Sequence, residues 1–316
     1  MFPNVDDVLI SIKQIEKRIE QKAFELRKEN KGINSDALIA SVSSIPFSGS
    51  IAAVDAGLIG REVQGHDILF LKTVGVLFNY DSSKLLSHSY RPSIVPRVAS
   101  YVQSSLAEHE ILISRNLMRL REEVTCAFEI VNAYHPDILF IDGSLAPLPS
   151  DRPDKTSILF PLYSEVLEKY KQLFSSSSTV IGVSKDSRSK RFCSHYGIPL
   201  ANDITLMSYL LGENERTCVV NYSSTKTEIM QDLGCEIYAF YIRPVSSDLP
   251  LRIECLSPDV DKIAGIVNSL SKISTNYAYP AALIEADLRA CFTQHEIDQV
   301  ARLPLTPLRR NNRPFR

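Results

Sequence analysis

"SIAAVDAGLIG", residues 50–60, is a run of small and β-branched residues interrupted by one acid, Asp55, and then by Gly57 and Gly60. The stretch 50–55 reads as a buried strand. A carboxylate there is costly unless something pairs with it or coordinates it. The alternative is a turn residue just past the strand end, and the rest of the chain has to decide between the two. "HDILFLKTVGVLFNY" at 66–80 and "KLLSHSYRP" at 84–92 read as two more strands, so the three form an antiparallel meander separated by Gly, Asp and Ser turn signals. Over 101–134, Leu106, Ile113, Leu117, Leu120, Val124, Ala127 and Val131 recur at helical spacing, which predicts one long amphipathic helix. "HPDILFIDGSL" at 135–145 is then a short, continuously apolar strand of the central, buried kind, ending at Asp142 and Gly143.

Beyond it the pattern predicts a helix near 158–174, a strand "TVIGVSK" at 179–185 parallel to the Asp142 strand, and helical stretches around 188–212. A late hairpin pairs "CEIYAFYIRP" with "LRIECL", and helices close the chain near 258–273 and 280–302. At the other end, Val5, Val8, Ile12, Ile15, Ile19 and Leu26 form a narrow helical seam that suits either the domain's own core or a second subunit. The polar segment 28–36 follows it. The tail beyond 302 holds Arg309, Arg310, Arg313 and Arg316 and no acid, a candidate electrostatic arm.

Composition sets bounds. The 316 residues are 44% hydrophobic and 23% charged, with a formal net charge of −2 and a pI near 6.3. These values exclude the overall basic character of many nucleic-acid binders, so contact with phosphate would have to come from local patches such as Arg188, Lys190 and Arg191. The six cysteines include no C-x-x-C pair, which argues against a zinc knuckle and for reduced, mostly buried thiols. An N-terminus bearing acids and lysines, and no apolar run of membrane-spanning length, leads us to expect a cytoplasmic protein with no membrane contact.

Three antiparallel strands, a long helix, a buried strand, a helix and another strand is the order of a ribonuclease H-like α/β domain: a mixed sheet flanked by helices, here with additional N- and C-terminal helices. In that arrangement the strands bearing Asp55 and Asp142 lie side by side, about 4.8 Å apart, and acids at matching heights converge. A divalent ion relieves their repulsion, and an all-oxygen set suits Mg²⁺ or Mn²⁺. A carboxylate cluster at strand ends points to phosphoryl chemistry, in which one metal activates water and a second, roughly 4 Å away, stabilises the leaving oxygen. A third acid is expected from the long helix: Glu123, beside the buried stripe, ahead of Glu122, with Glu129 third. Lys185, closing its strand, can reach the same cleft and stabilise charge on a phosphate.

"AAVDAG", "FIDGSL", "GVSKDSRSK" and "YAYPAALIEADLRA", in this order, resemble the NurA nuclease family. The resemblance covers essentially the whole chain and implies a nuclease domain over 36–302, preceded by a helix (1–35) for dimer or partner contact and followed by the basic tail (303–316). It further implies a homodimer around a DNA channel, partnership with a HerA-type hexameric ATPase in DNA end resection and recombination repair, and Mn²⁺-dependent cleavage of single-stranded DNA and of duplex ends in the 5′ to 3′ direction. By motif, Asp55, the helix glutamate and Asp142 would be metal ligands, supported by Lys185 and Tyr279. Asp287 stands where the family often has His, which keeps a metal-binding group but removes a neutral imidazole. Ala56 is a second departure, from "DGS" to "DAG". Pro280 can open the helix that carries Asp287, and eight residues is a little over two turns, so Tyr279 and Asp287 can line one wall.

Two rivals remain. One is a non-catalytic ribonuclease H-like dimer that binds DNA or the translocase without cutting. The other, a haloacid dehalogenase-type phosphatase, needs a second Asp two residues from Asp142, where the chain has Phe140 and Ser144.

Overall fold

In the computed structural model, which describes residues 5–33, 36–63, 66–104, 106–199, 201–222 and 228–302, Asp55 does not end a strand. It lies within β2 (Gly49–Val63), which pairs with β3 (His66–Asp81) in unbroken antiparallel register from Gly49↔Tyr80 to Val63↔His66. The expected end near residue 55 is corrected by the glycines, which do not turn the chain but clear space beside it. A Cβ on Gly57 would lie 2.2 Å from the Ala290 carbonyl oxygen, and one on Gly60 would lie 2.9 Å from the Arg115 guanidinium.

β4 (Lys84–Arg91) completes the meander, and β5 (Ala99–Ser104) returns to pair with the outer half of β3. That strand corrects the single helix expected over 101–134: helix α2 starts at Glu108 and ends at Tyr134. Tyr101 and Gln103 have backbone partners on β3, and sheet pairing outweighs the helical periodicity there. β6 (Ile138–Asp142) lies parallel to β2, and β7 (Thr179–Ser184) lies parallel to β6 on its other side, as expected. The late hairpin forms as β10 (Tyr238–Arg243) and β11 (Leu251–Cys255), with β11 antiparallel to β7. Short strands β1 (Ile39–Ser41), β8 (Glu215–Thr217) and β9 (Val220–Asn221) extend the far edge. The described sheet has 11 strands, running β1-β8-β10-β11-β7-β6-β2-β3-β4 with β5 and β9 paired off that path.

Successive strand residues face opposite sides, so the central strands feed two cores. Ile51, Ala53, Ile138, Phe140, Ile181 and Val183 pack under α7 (Asp261–Ser271) and α8 (Ala281–Ala290). Ala52, Val54, Leu139, Ile141 and Val180 pack under α2, α3 (Phe160–Phe174) and α6 (Glu228–Leu233). The result is a ribonuclease H-like mixed sheet between two helical layers. The expected helix over 280–302 is two helices, because Thr293 caps α9 (Gln294–Ala301) by accepting from the Glu296 amide. The helical stretches expected around 188–212 form as α4 (Arg191–His195) and α5 (Asp203–Leu210).

Helix α1 (Val5–Glu29) buries Ile19, Ala23 and Leu26 with residues of α5, while Val8 and Ile12 are exposed. No described helix is long and apolar enough to cross a membrane. Cys126, Cys193, Cys218 and Cys255 are buried free thiols, and Cys291 is exposed.

Candidate active site

The sheet's unequal strand lengths create the site. Parallel pairing of β2 with β6 runs from Ile51↔Ile138 to Val54↔Ile141 and stops there, because β6 ends at Asp142 while β2 continues. Asp55 is the first residue past that pairing, so side chains from both helical layers can approach it. Asp55 and Asp142 follow the alternation of Ala53 and Phe140 and therefore belong to the α7–α8 face, where Lys185, one residue past the end of β7, packs over Tyr279. On that face the buried Tyr279 hydroxyl donates to Asp142 Oδ1 at 2.8 Å and lies 3.2 Å from the Val183 carbonyl oxygen. Lys185 Nζ sits 4.0 Å from the centroid of the Tyr279 ring. Asp287, on α8 eight residues after Tyr279, is half-buried and close enough for its charge to act on Asp55.

From the opposite layer α2 contributes Glu123, which is 3% exposed and accepts from Arg119 Nη1 at 2.6 Å. Glu122, one residue earlier, points elsewhere: it accepts from the Tyr101 hydroxyl at 3.1 Å and pairs with Arg121. Glu129 is exposed and paired with Arg91. The helical turn of about 100° per residue is what separates the three.

Electrostatics ties the group together. Burial, then the charge of Asp142, pushes the Asp55 carboxyl up to about 6; the Ala56 amide, donating to Asp55 Oδ1 at 2.8 Å, opposes the rise. Burial pushes Glu123 up to about 8, with Arg119 opposing and the charges of Asp55 and Asp142 adding to the rise. Burial and the adjacent Asp142 also raise the Tyr279 phenol, so its proton stays on the hydroxyl that Asp142 accepts from.

Mutually repelling, partly desolvated carboxylate oxygens are the donor set of a hard divalent cation. As the side chains stand, no three His, Cys, Asp or Glu among the described residues enclose an ion, and the cation that meets Glu123 is the Arg119 guanidinium. The chemistry of the donors fits Mn²⁺ or Mg²⁺.

Beside Asp142 opens a cleft of about 770 Å³ lined by Arg119, Ser144, Lys185, Arg188, Tyr222 and Arg252 among others. Arg188 is exposed on its rim and Lys190 is exposed beyond it, whereas the Arg191 amide donates to Asp203 Oδ2 at 2.9 Å. Arg309 and Arg310 lie outside the described residues. Sequence reasoning passed over Arg119, Arg252 and Glu254. Arg119 was legible as the residue one helical turn before Glu123, but Arg252 and Glu254 sit in a strand whose alternation looks like ordinary half-exposure.

Residues 49–291 match the NurA domain model. No curated protein matches the chain. Among solved structures, the chain is similar to the NurA nuclease from Sulfolobus solfataricus, at 16% identity and a TM-score of 0.63, covering 95% of both chains. A structure of NurA bound to dAMP and manganese aligns with a TM-score of 0.62 and 11% identity over 96% of this chain and 98% of that one. With a domain match spanning the site residues and the sheet that presents them, this chain belongs to the NurA nuclease family.

Proposed function

We propose that this chain is a divalent-metal-dependent deoxyribonuclease that hydrolyses phosphodiesters of single-stranded DNA and of duplex ends, working in end resection and recombination repair. The observation that carries the reading is that Asp55, buried in β2, feels the charges of Asp142 and Asp287, as the buried Glu123 feels those of Asp55 and Asp142, beside a cleft bearing Lys185 and Arg188. Asp55, Glu123 and Asp142 would hold the cation, with Asp287 outside them. A bound Mn²⁺ or Mg²⁺ supplies an activated water and offsets charge on the phosphodiester. The rest is done by the chain itself. Tyr279 holds Asp142 through Oδ1. Lys185, steadied over the Tyr279 ring, meets a phosphate oxygen and stabilises the charge that develops on it. Arg119 offsets the charge of Glu123 inside the fold. The structure of a relative with dAMP and manganese supports a nucleotide substrate and manganese as the cation.

The homodimer and the HerA-type ATPase partner belong to the same proposal. Supporting the dimer, Val8, Leu9, Ile10 and Ile12 on α1 are 43–54% exposed, more apolar surface than a solvated helix end needs. The Arg119–Glu123 pair favours the second reading, a non-catalytic DNA-binding member, because it satisfies the glutamate without a metal ion.

Cleavage of end-labelled single-stranded DNA with Mn²⁺, with Mg²⁺ and with EDTA separates the two. The nuclease reading expects a ladder of shortened products that EDTA, Asp55→Ala and Asp142→Ala each abolish, with the label position giving polarity. DNA that is bound but never cut, also in the presence of a HerA-type ATPase, would establish the non-catalytic reading.

A further inference from the structure

Behind the loops that carry Asp142 and Lys185, on the α2–α3 face of the sheet, β11 holds two charged residues in its middle. Arg252 is 7% exposed and Glu254 is 0% exposed. Their neighbours Leu251, Ile253 and Cys255 belong to the core on the other face. A buried ion pair is a poor stabiliser, since apolar residues of similar volume often replace it without loss. Its contacts say more about its use. Glu254 Oε2 accepts from Ser144 Oγ at 2.9 Å and from the Leu145 amide at 2.8 Å, which pins the turn directly after Asp142. Arg252 pairs through Nη2 with Glu254 Oε1, and its Nη1 lies 3.4 Å from Ser187 Oγ, in the segment directly after Lys185. The Tyr222 ring packs against the same guanidinium, its centroid 4.5 Å away.

Strand register explains how one pair spans both loops. Glu254 stands opposite Gly182 on β7, and Gly182 stands opposite Ile141 on β6. A Cβ at Gly182 would lie 2.7 Å from the Gly143 carbonyl oxygen and 3.1 Å from Leu145 Cγ. The missing side chain lets the Gly143–Leu145 turn fold down onto the sheet, within reach of Glu254.

We propose that Arg252 and Glu254 form a positioning dyad that sets the spacing between the Asp142 and Lys185 loops, so that the carboxylate and the ammonium address one phosphodiester. The proposal rests on the nuclease reading above. Neither residue is given a role at the reacting atoms; each acts through a loop.

The full chain carrying Arg252→Met with Glu254→Leu removes both charges together and leaves no unpaired buried ion. It is compared with Glu254→Gln, which keeps a carbonyl acceptor for the Leu145 amide. Amide hydrogen exchange is read at Ser144–Leu145 and Ser187 without metal, single-stranded DNA binding is read in EDTA, and kcat and KM are read with Mn²⁺. The double variant is expected to melt cooperatively, to lose protection at both loops, and to lose kcat by about 10- to 100-fold, a larger factor than any change in KM or in DNA binding. Glu254→Gln is expected to retain more kcat than the double variant. A folded double variant with wild-type protection and wild-type kcat would overturn the dyad. If the double variant does not fold, Glu254→Gln against Glu254→Leu makes the same comparison. Wild-type protein that cuts nothing with Mn²⁺, also in the presence of a HerA-type ATPase, would defeat the nuclease reading, whereas the exchange measurement judges the dyad without any cleavage.

Discussion

Burial keeps the Asp55 carboxyl near 6 and the Glu123 carboxyl near 8, so the folded chain retains protons there that an unfolded chain, with ordinary carboxyls, has released. Where the native state binds more protons than the unfolded state, stability falls as pH rises. Without a divalent cation, the melting temperature should therefore drop from about pH 5 to about pH 8, Asp55 contributing over the lower part of that window and Glu123 over all of it. Asp55→Asn and Glu123→Gln should flatten the slope; melts across a buffer series check this, and a rising melting temperature would contradict it. The same geometry separates neighbouring glutamates by function. Glu123→Gln should lower cleavage at least about 100-fold. Glu122→Gln breaks only a half-exposed ion pair and should stay within about threefold of wild type.

At the scale of elements, the attachment of α8 to the β2–β3 hairpin decides where Asp287 stands. Gly57 pairs across the hairpin with Lys72. The glycine accepts the close approach of the Ala290 carbonyl oxygen, and Lys72 Nζ reaches the Cys291 carbonyl oxygen at 3.1 Å and Glu296 Oε2 at 3.1 Å. One hairpin rung thus holds the corner between α8 and α9. Gly57→Ala forces a methyl onto backbone that has no rotamer to yield, so it should cost about 1–3 kcal/mol. It should also displace Asp287 and lower activity beyond the loss of stability; denaturant titration alongside cleavage assays separates the two effects. The sequence pattern foresaw the elements around this corner but not their join. Hydrophobic period identified β3 and the C-terminal helical region, whereas the break at Thr293 rests on a cap and the close contact on a tertiary approach.

For the whole molecule, a cation that binds the folded site and not the unfolded chain stabilises by mass action. At a free Mn²⁺ concentration about 100 times its dissociation constant the gain is about 2.7 kcal/mol. Calorimetric melts should show that increase in wild type, its reversal by EDTA, and little of it in Asp142→Asn. An unchanged melting temperature at saturating Mn²⁺ would remove the metal site from the proposal.

By itself the sequence determined the fold class. Alternating and continuous apolar runs are local properties, and their order along the chain placed an acid-bearing strand beside the strand of Asp142. It also singled out Asp55, Asp142, Lys185, Tyr279 and Asp287 before any geometry was known, because short motifs survive as linear strings. What it left open was decided by tertiary structure. Spacing ranked Glu123 ahead of Glu122, but that Glu123 is buried against Arg119 while Glu122 turns to Tyr101 follows from how α2 is rotated over the sheet, which only packing sets. The extension of β2 past Asp55 rests on its ladder with β3, with Gly57 and Gly60 leaving room for the Ala290 carbonyl and the Arg115 guanidinium. Arg252 and Glu254 became visible only when register carried them across Gly182 to the two loops, since charges two residues apart on a strand look solvent-facing until the sheet is covered.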